Sequence, residues 1–294
     1  MKTIGIVANI DKQSTLYEAR RVAQLIKKAS GTVFWEKELA ATLKRPGGVF
    51  ELERPGRDLE ALIVLGGDGT LISVFRRLGD KRLPVLGVNL GGLGFLTEFT
   101  LSGVPSAVED LLQGRLKVDP RATLDCRLVG SNRSPRSLIA VNEVVIGKGG
   151  LARVIRVEAR IDGRYLTTYT ADGVILATPT GSTAYSMSAL GPIVSPRVGC
   201  FLINPICPHA LTNRPLIIAD DRVVEFHLIS APPDTFVTVD GQAGLGLRSG
   251  DVIRVKKSRD RLRLFSSPRF SYYEILRRKL KWGGSSHYRK LGKK

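Results

Sequence analysis

The chain has 294 residues, 43% of them hydrophobic, and 45 Lys and Arg against 27 Asp and Glu give a formal net charge of +18. That length supports a sizeable core and suits two domains, while no apolar run approaches the roughly 18 residues a membrane span needs. The charge excess points to anionic partners, and three widely spaced cysteines, Cys126, Cys200 and Cys207, argue against a disulfide framework and for a reducing compartment.

The chain opens with Thr3–Ala8, an apolar run read as a buried strand. The apolar stretch meets Asp11 and Lys12 too soon for a signal peptide, so a cytoplasmic location is expected. Residues 14–29 place Leu16, Ala19, Val22, Ala23, Leu25 and Ile26 at helical spacing. Residues 58–65 end in the run Ala61–Leu65, a second buried strand, followed at once by glycines and then by helical character over 71–78. Residues 83–88 form a third strand that again runs into glycines. Strand, glycine turn and helix in succession predict a parallel α/β sheet, whose ligands bind where strands end in loops.

The pattern changes near residue 120. Short β-prone stretches follow at 124–129, 137–145, 152–161, 165–169 and 174–177, then at 223–229, 236–239, 252–255 and 262–265. Gly, Asp and Pro punctuate them, which predicts a mainly β second domain over residues 121–267 after an α/β domain over 1–120. Residues 272–280 read as helical, and the segment 268–294 is expected to return to the first domain. From Leu276 to Lys294 there are eight Lys or Arg and no acid, which suits either a solvated tail or a polyanion contact. With no RNA-recognition, zinc-finger or helix-turn-helix signature, nucleic acid ranks low as a partner, and no membrane association is expected.

Several motifs bear chemistry. Gly66-Gly67-Asp68-Gly69-Thr70 follows a buried strand, where glycines admit a ligand to the backbone and the next helix offers N–H groups to an anion. An acid there suits proton acceptance or metal binding, or else a plain tight turn with a helix cap. No GxxxxGK[ST] pattern is present, which excludes a P-loop. Residues 89–96, NLGGLGFL, form a glycine loop ending in Phe95 and Leu96. Asn142-Glu143 ends an apolar stretch; on a strand the two would point to opposite faces, and either suits a ribose hydroxyl or a surface position. Thr170-Ala171-Asp172-Gly173 leads into residues 178–188, seven of which carry a hydroxyl. With Ser182 as a helix cap, this array suits a pyrophosphate. PHALTNRP at 208–215 offers His209 and Arg214 to a phosphate, and Val239-Asp240-Gly241-Gln242 reads as a hairpin turn.

Together GGDGT at 66–70, GGLGFL at 91–96, NE at 142–143, ADG at 171–173, TPTGSTAY at 178–185, PHALTNRP at 208–215 and VDGQ at 239–242 resemble the NAD kinase family, over about residues 60–283. GGDGT alone is shared with diacylglycerol and sphingosine kinases, whereas TPTGSTAY with an upstream NE is far more specific. One departure is Leu190, where the family usually has glycine. The resemblance implies a Rossmann-like N-terminal α/β domain and a C-terminal β-sandwich domain, with NAD in the cleft between them. It implies phosphorylation of the adenosine-ribose 2′-hydroxyl, with Asp68 as general base. Gly69, Phe95, Asn142, Glu143, Asp172, Thr183, Ala184, Tyr185 and Ser188 would bind NAD. Gly66, Gly67, Thr70, His209 and Gln242 would meet the phosphate donor, ATP or polyphosphate. A divalent metal, Mg²⁺, and a homodimer or homotetramer are also implied. Two other readings compete: a lipid kinase, which would need an apolar cleft, and a non-catalytic dinucleotide sensor, which would have no need of Asp68.

Overall fold

Beginning at β1 (Thr3–Ala8), the first 120 residues alternate strand with helix through α1 (Gln13–Lys28), β2 (Thr32–Glu36), α2 (Lys37–Leu43), β3 (Val49–Phe50) and β4 (Ala61–Leu65). They continue with α3 (Asp68–Arg77), β5 (Val85–Asn89), β6 (Phe99–Thr100), α4 (Val104–Leu112) and β7 (Val118–Arg121). The computed structural model describes residues 2–45, 48–129, 137–150, 154–267 and 271–282. The strands β3-β2-β1-β4-β5 lie side by side and parallel, with β6 parallel beside β5. All five residues of β4 are buried, as a parallel strand covered on both faces requires. One core sits between this sheet and its helices: Ile4, Ile6, Ile63 and Leu65 from strands, Ala19, Val22 and Ile26 from α1, Val108 and Leu111 from α4.

The second unit, residues 121–262, is built from strands. They are β8 (Leu124–Val129), β9 (Ser137–Ala140), β10 (Glu143–Gly147), β11 (Ile155–Ile161), β12 (Arg164–Ala171) and β13 (Gly173–Ala177). A one-turn helix α5 (Tyr185–Ser188) precedes β14 (Cys200–Ile206), β15 (Leu216–Ala219), β16 (Val224–Ser230), β17 (Phe236–Val239), β18 (Ala243–Gly246) and β19 (Val252–Lys257). Two antiparallel sheets result, ordered β15-β14-β13-β10-β17-β18 and β12-β11-β16-β19-β8-β9. Val144, Leu176 and Ile203 of one pack with Val157, Phe226 and Ile253 of the other in a single core, so the unit is a β-sandwich.

The chain then returns to the first sheet through β20 (Leu262–Phe265), which pairs with β5 in parallel and lies between β5 and β7. α6 (Tyr272–Leu280) follows, opened by a capping box between Ser271 and Glu274. The α/β domain and the β-sandwich implied by the resemblance are both present. Some local expectations change. Residues 262–265, grouped by sequence with the second domain, belong to the first sheet. Residues 137–145 break into β9 and β10, which lie in different sheets. The strand β14 is hidden in sequence by Pro205, which sits within the run opposite Val174. The start of the expected strand 152–161, Ala152 and Arg153, and the basic tail from Gly283 lie outside the described residues. Among the described residues no helix is long and apolar enough to cross a membrane.

Candidate active site

The glycine turn after β4 carries Gly66, Gly67 and Asp68. Gly67 is the N-cap of α3, in extended conformation, and Asp68 is the first helical residue. Asp68 therefore does not cap its own helix. Its carboxylate reaches across to the loop after β5, where Oδ2 accepts from Phe95 N–H at 2.9 Å. Oδ1 accepts from Leu96 N–H at 3.2 Å, Thr97 N–H at 3.0 Å and the Thr97 hydroxyl at 2.8 Å. Four donors thus fix a half-buried carboxylate, and the two glycine motifs become one structure. Gly94 permits this, since a Cβ there would lie 2.3 Å from Asp68 Oδ1. Gly66 packs on Thr70, and a Cβ at Gly67 would meet nothing within 4 Å, so the turn is open on that side. Gly69 is exposed and Thr70 half-buried. Half-buried Phe95 carries the Lys279 Nζ of α6 at 5.8 Å from its ring centre.

In the sandwich, three motifs converge on residues 141–143. The Asp240 carboxylate accepts from Val141 N–H at 2.9 Å, Asn142 N–H at 2.7 Å and Glu143 N–H at 3.2 Å. Asp240 and Gly241 have φ of 52° and 62°, and Gln242 N–H returns to Val239 O at 3.0 Å, so the two are the central residues of a tight turn within the three-residue loop 240–242 that joins β17 to β18. From the other side, Thr178 Oγ1 donates to Val141 O at 2.7 Å and Thr178 N–H to Asn142 O at 2.8 Å. Gly181 sits so close that a Cβ would lie 2.1 Å from Asn142 O. Gripped on both sides, Asn142 stands in a bend and Glu143 begins β10, so the two do not alternate along one strand as expected.

Glu143, Asp172 and Tyr185 are brought together around a concavity of about 470 Å³, with Lys148, Phe236 and Asp240 also in its wall. Lys148 Nζ pairs with Asp172 Oδ1 at 2.8 Å. Glu143 is buried, and its Oε2 has no hydrogen-bond partner among the described residues. Burial, reinforced by the negative charge of Asp240 and opposed by the Tyr185 N–H, pushes the Glu143 carboxyl up to about 8. Half-buried Thr183 and Ala184 and exposed Ser188 flank Tyr185 along the chain. His209 is exposed beyond β14, tied by its N–H to Thr170 O at 2.9 Å, and Gln242 is exposed in the hairpin. Sequence reasoning missed Lys148, Asn89 and Thr97, and saw in Asp240 only a turn. The lone base in Gly147-Lys148-Gly149-Gly150 was a readable signal; Thr97 gave none.

The hydroxyl array behaves differently from its expected role. Thr178, Thr180, Ser182 and Ser186 are buried. Ser182 Oγ does not cap a helix but donates to Pro179 O at 2.6 Å and accepts from Val194 N–H at 2.9 Å, while Thr183 Oγ1 bonds Thr180 O at 3.2 Å. Residues 180–183 form a 3₁₀ turn before α5, and these hydroxyls hold its shape. Leu190, the departure noted in sequence, has φ of 62° with its side chain 89% exposed. A backbone of that hand explains why glycine suits the position.

Residues 4–116 match the family described as ATP-NAD kinase N-terminal domain, and residues 141–267 match ATP-NAD kinase C-terminal domain. An NAD kinase of Citrifermentans bemidjiense is 43% identical over 286 residues, covering 96% of this chain and 99% of its own. An NAD kinase of Geotalea daltonii is 50% identical over 224 residues, 76% of this chain and 79% of its own. Among solved structures, yeast NADH kinase complexed with NADH superposes with a TM-score of 0.88 at 28% identity, covering 97% of this chain and 89% of its own. An Archaeoglobus fulgidus NAD kinase in complex with ATP shares the fold, with a TM-score of 0.74 at 24% identity over 93% of this chain and 98% of its own.

Proposed function

The chain belongs to the NAD kinase family, and on that footing we propose that it phosphorylates the adenosine-ribose 2′-hydroxyl of NAD with Asp68 as proton acceptor. Its activity is that of an NAD kinase, a phosphotransferase. One observation supports the role of Asp68 above the rest: a carboxylate at the open glycine turn, held rigid by the 95–97 loop. Positioning of this kind is the main contribution a protein makes to phosphoryl transfer. As the ribose oxygen bonds phosphorus, its proton passes to Asp68, and the bond to the leaving phosphate breaks with the electron pair on that phosphate.

The dinucleotide is assigned to Asn142, Glu143, Asp172, Thr183, Ala184, Tyr185 and Ser188, with Gly69 and Phe95. The donor, ATP or polyphosphate, is assigned to the Gly66-Gly67 turn, Thr70, His209 and Gln242; the N-terminus of α3 suits an anion. Among the described residues no three His, Cys, Asp or Glu side chains cluster to cage a metal. Mg²⁺ would be carried on the donor's phosphates, where it would neutralise phosphate charge. A reducing cytoplasm suits the three free cysteines. A homodimer or homotetramer suits the open sheet edges at β12 and β15, with Ile217 of β15 exposed.

The test incubates the protein with NAD, Mg²⁺ and either ATP or polyphosphate, then reads the product by phosphorus NMR. A 2′-phosphate is expected. Phosphate on another hydroxyl overturns the site assignment, and turnover of diacylglycerol vesicles instead of NAD restores the lipid-kinase reading.

A further inference from the structure

We propose that Thr97, oriented by Asn89, is a positioning residue that reserves Oδ2 of Asp68 for the reacting hydroxyl. This rests on the reading of Asp68 as proton acceptor. Asn89 ends β5, and its Oδ1 accepts the Gly91 N–H at 3.0 Å. That bond fixes which way the amide faces, so Nδ2 is the atom 3.0 Å from Thr97 Oγ1. An amide nitrogen has only hydrogens to give, so the Thr97 oxygen accepts there. A hydroxyl has a single hydrogen, and the partner left for it is Asp68 Oδ1 at 2.8 Å. The direction of the whole relay follows: Gly91 fixes Asn89, Asn89 fixes Thr97, and Thr97 donates to Asp68.

The two carboxylate oxygens are thereby made unequal. Oδ1 collects the Thr97 hydroxyl and the N–H groups of Leu96 and Thr97, more donors than its two in-plane lone pairs hold comfortably. Oδ2 accepts from Phe95 N–H, which leaves it a lone pair for a proton. Thr97 is fully buried, so its hydroxyl has no water to turn to. A Cβ on Gly94 would lie 2.2 Å from Thr97 Oγ1, so the glycine keeps this contact closed. In the transfer step the proton of the ribose hydroxyl goes to Oδ2 as the oxygen–phosphorus bond forms, and Asp68 later yields it to water.

Steady-state kinetics and melting temperatures of Thr97→Val, Thr97→Ser, Asn89→Asp and Asp68→Asn test the relay. Thr97→Val keeps the shape without the hydroxyl and is expected to lower kcat roughly tenfold, with KM for NAD within about twofold. Thr97→Ser restores the hydroxyl and is expected to keep at least about half of kcat. Asn89→Asp offers the Thr97 hydrogen a rival acceptor and is expected to lower kcat as Thr97→Val does. Thr97→Val at wild-type kcat with Asp68→Asn inactive overturns the positioning role and leaves Asp68 its role. Asp68→Asn at wild-type kcat overturns the reading of Asp68 and the relay with it. Thr97→Ser as impaired as Thr97→Val shows that shape, not the hydroxyl, matters, and also overturns the relay. If Thr97→Val does not fold, Asn89→Asp decides on the same criterion.

Discussion

The Asp240 carboxylate accepts the backbone N–H of Asn142 at 2.7 Å, although 98 residues separate the two. A hairpin tip therefore sets the path of the chain through Asn142 into Glu143, which lines the concavity. The same tip carries a negative charge into the wall of that concavity, beside a buried Glu143.

Asp240→Asn is expected to raise KM for NAD about tenfold or more, with a smaller effect on kcat. The amide retains one acceptor oxygen and turns an NH₂ group toward backbone donors. Leaving such a donor unpaired costs about 1–3 kcal/mol. Initial-rate kinetics on the folded variant check this. An unchanged KM would show that the 141–143 bend holds without Asp240.

Glu143 gives the protein a pH signature. Its carboxyl is pushed up to about 8 in the folded chain, from 4.5 in the reference state. A raised folded value means that the folded state binds more protons between these two limits. Stability is then fullest below pH 4.5, as far as this group is concerned, and falls as pH rises toward 8. Glu143→Gln stays neutral throughout and is expected to remove that part of the decline, on the order of a few kcal/mol. Denaturant melts of both proteins at several pH values measure it. Parallel pH dependences in the two would mean that Glu143 is ionised in the fold.

Leu190→Gly is expected to stabilise the chain by up to about 1 kcal/mol. A non-glycine residue in the left-handed region costs roughly 1–2 kcal/mol, and glycine returns part of that through its freer unfolded state. The leucine side chain is 89% exposed, so little packing is lost. A gain of a few degrees in melting temperature is the sign to look for. A clear loss would show that Leu190 makes a contact worth more than the strain.

The sequence reveals the strands that end in glycine turns, because apolar runs such as Ala61–Leu65 and the glycines after them are local signals. The motifs 66–70, 142–143 and 178–185 stand out for the same reason. What cannot be read locally is which atoms meet. The hydroxyls at 178 and 182 look like ligand donors in sequence, yet each donates to a backbone carbonyl, Val141 O for Thr178 and Pro179 O for Ser182. Asp240 looks like a turn residue, and its second role depends on a segment far along the chain. Thr97 gives no local signal; its tie to Asp68 exists because β4 and β5 pair in register and bring their terminal loops side by side. The placement of β20 beside β5 is likewise a long-range pairing with no local trace.

Asp68→Asn is expected to lower kcat at least about 100-fold with little change in NAD affinity. The amide must seat one oxygen and one nitrogen where two oxygens stood. Three donors converge on Oδ1 and one on Oδ2, so the amide oxygen takes the Oδ1 place. Its NH₂ then faces Phe95 N–H at the position where the proton would be received, and an acceptor becomes a donor. The clash of donors costs about 1–3 kcal/mol of stability, a modest drop in melting temperature that can be measured separately from turnover. Metal binding is the rival role for this carboxylate. It predicts instead a deficit partly recovered as Mg²⁺ is raised, because a weakened ion site fills at higher concentration. A deficit unmoved by Mg²⁺ supports proton acceptance, and a folded Asn variant that turns over near the wild-type rate removes Asp68 from the chemistry altogether.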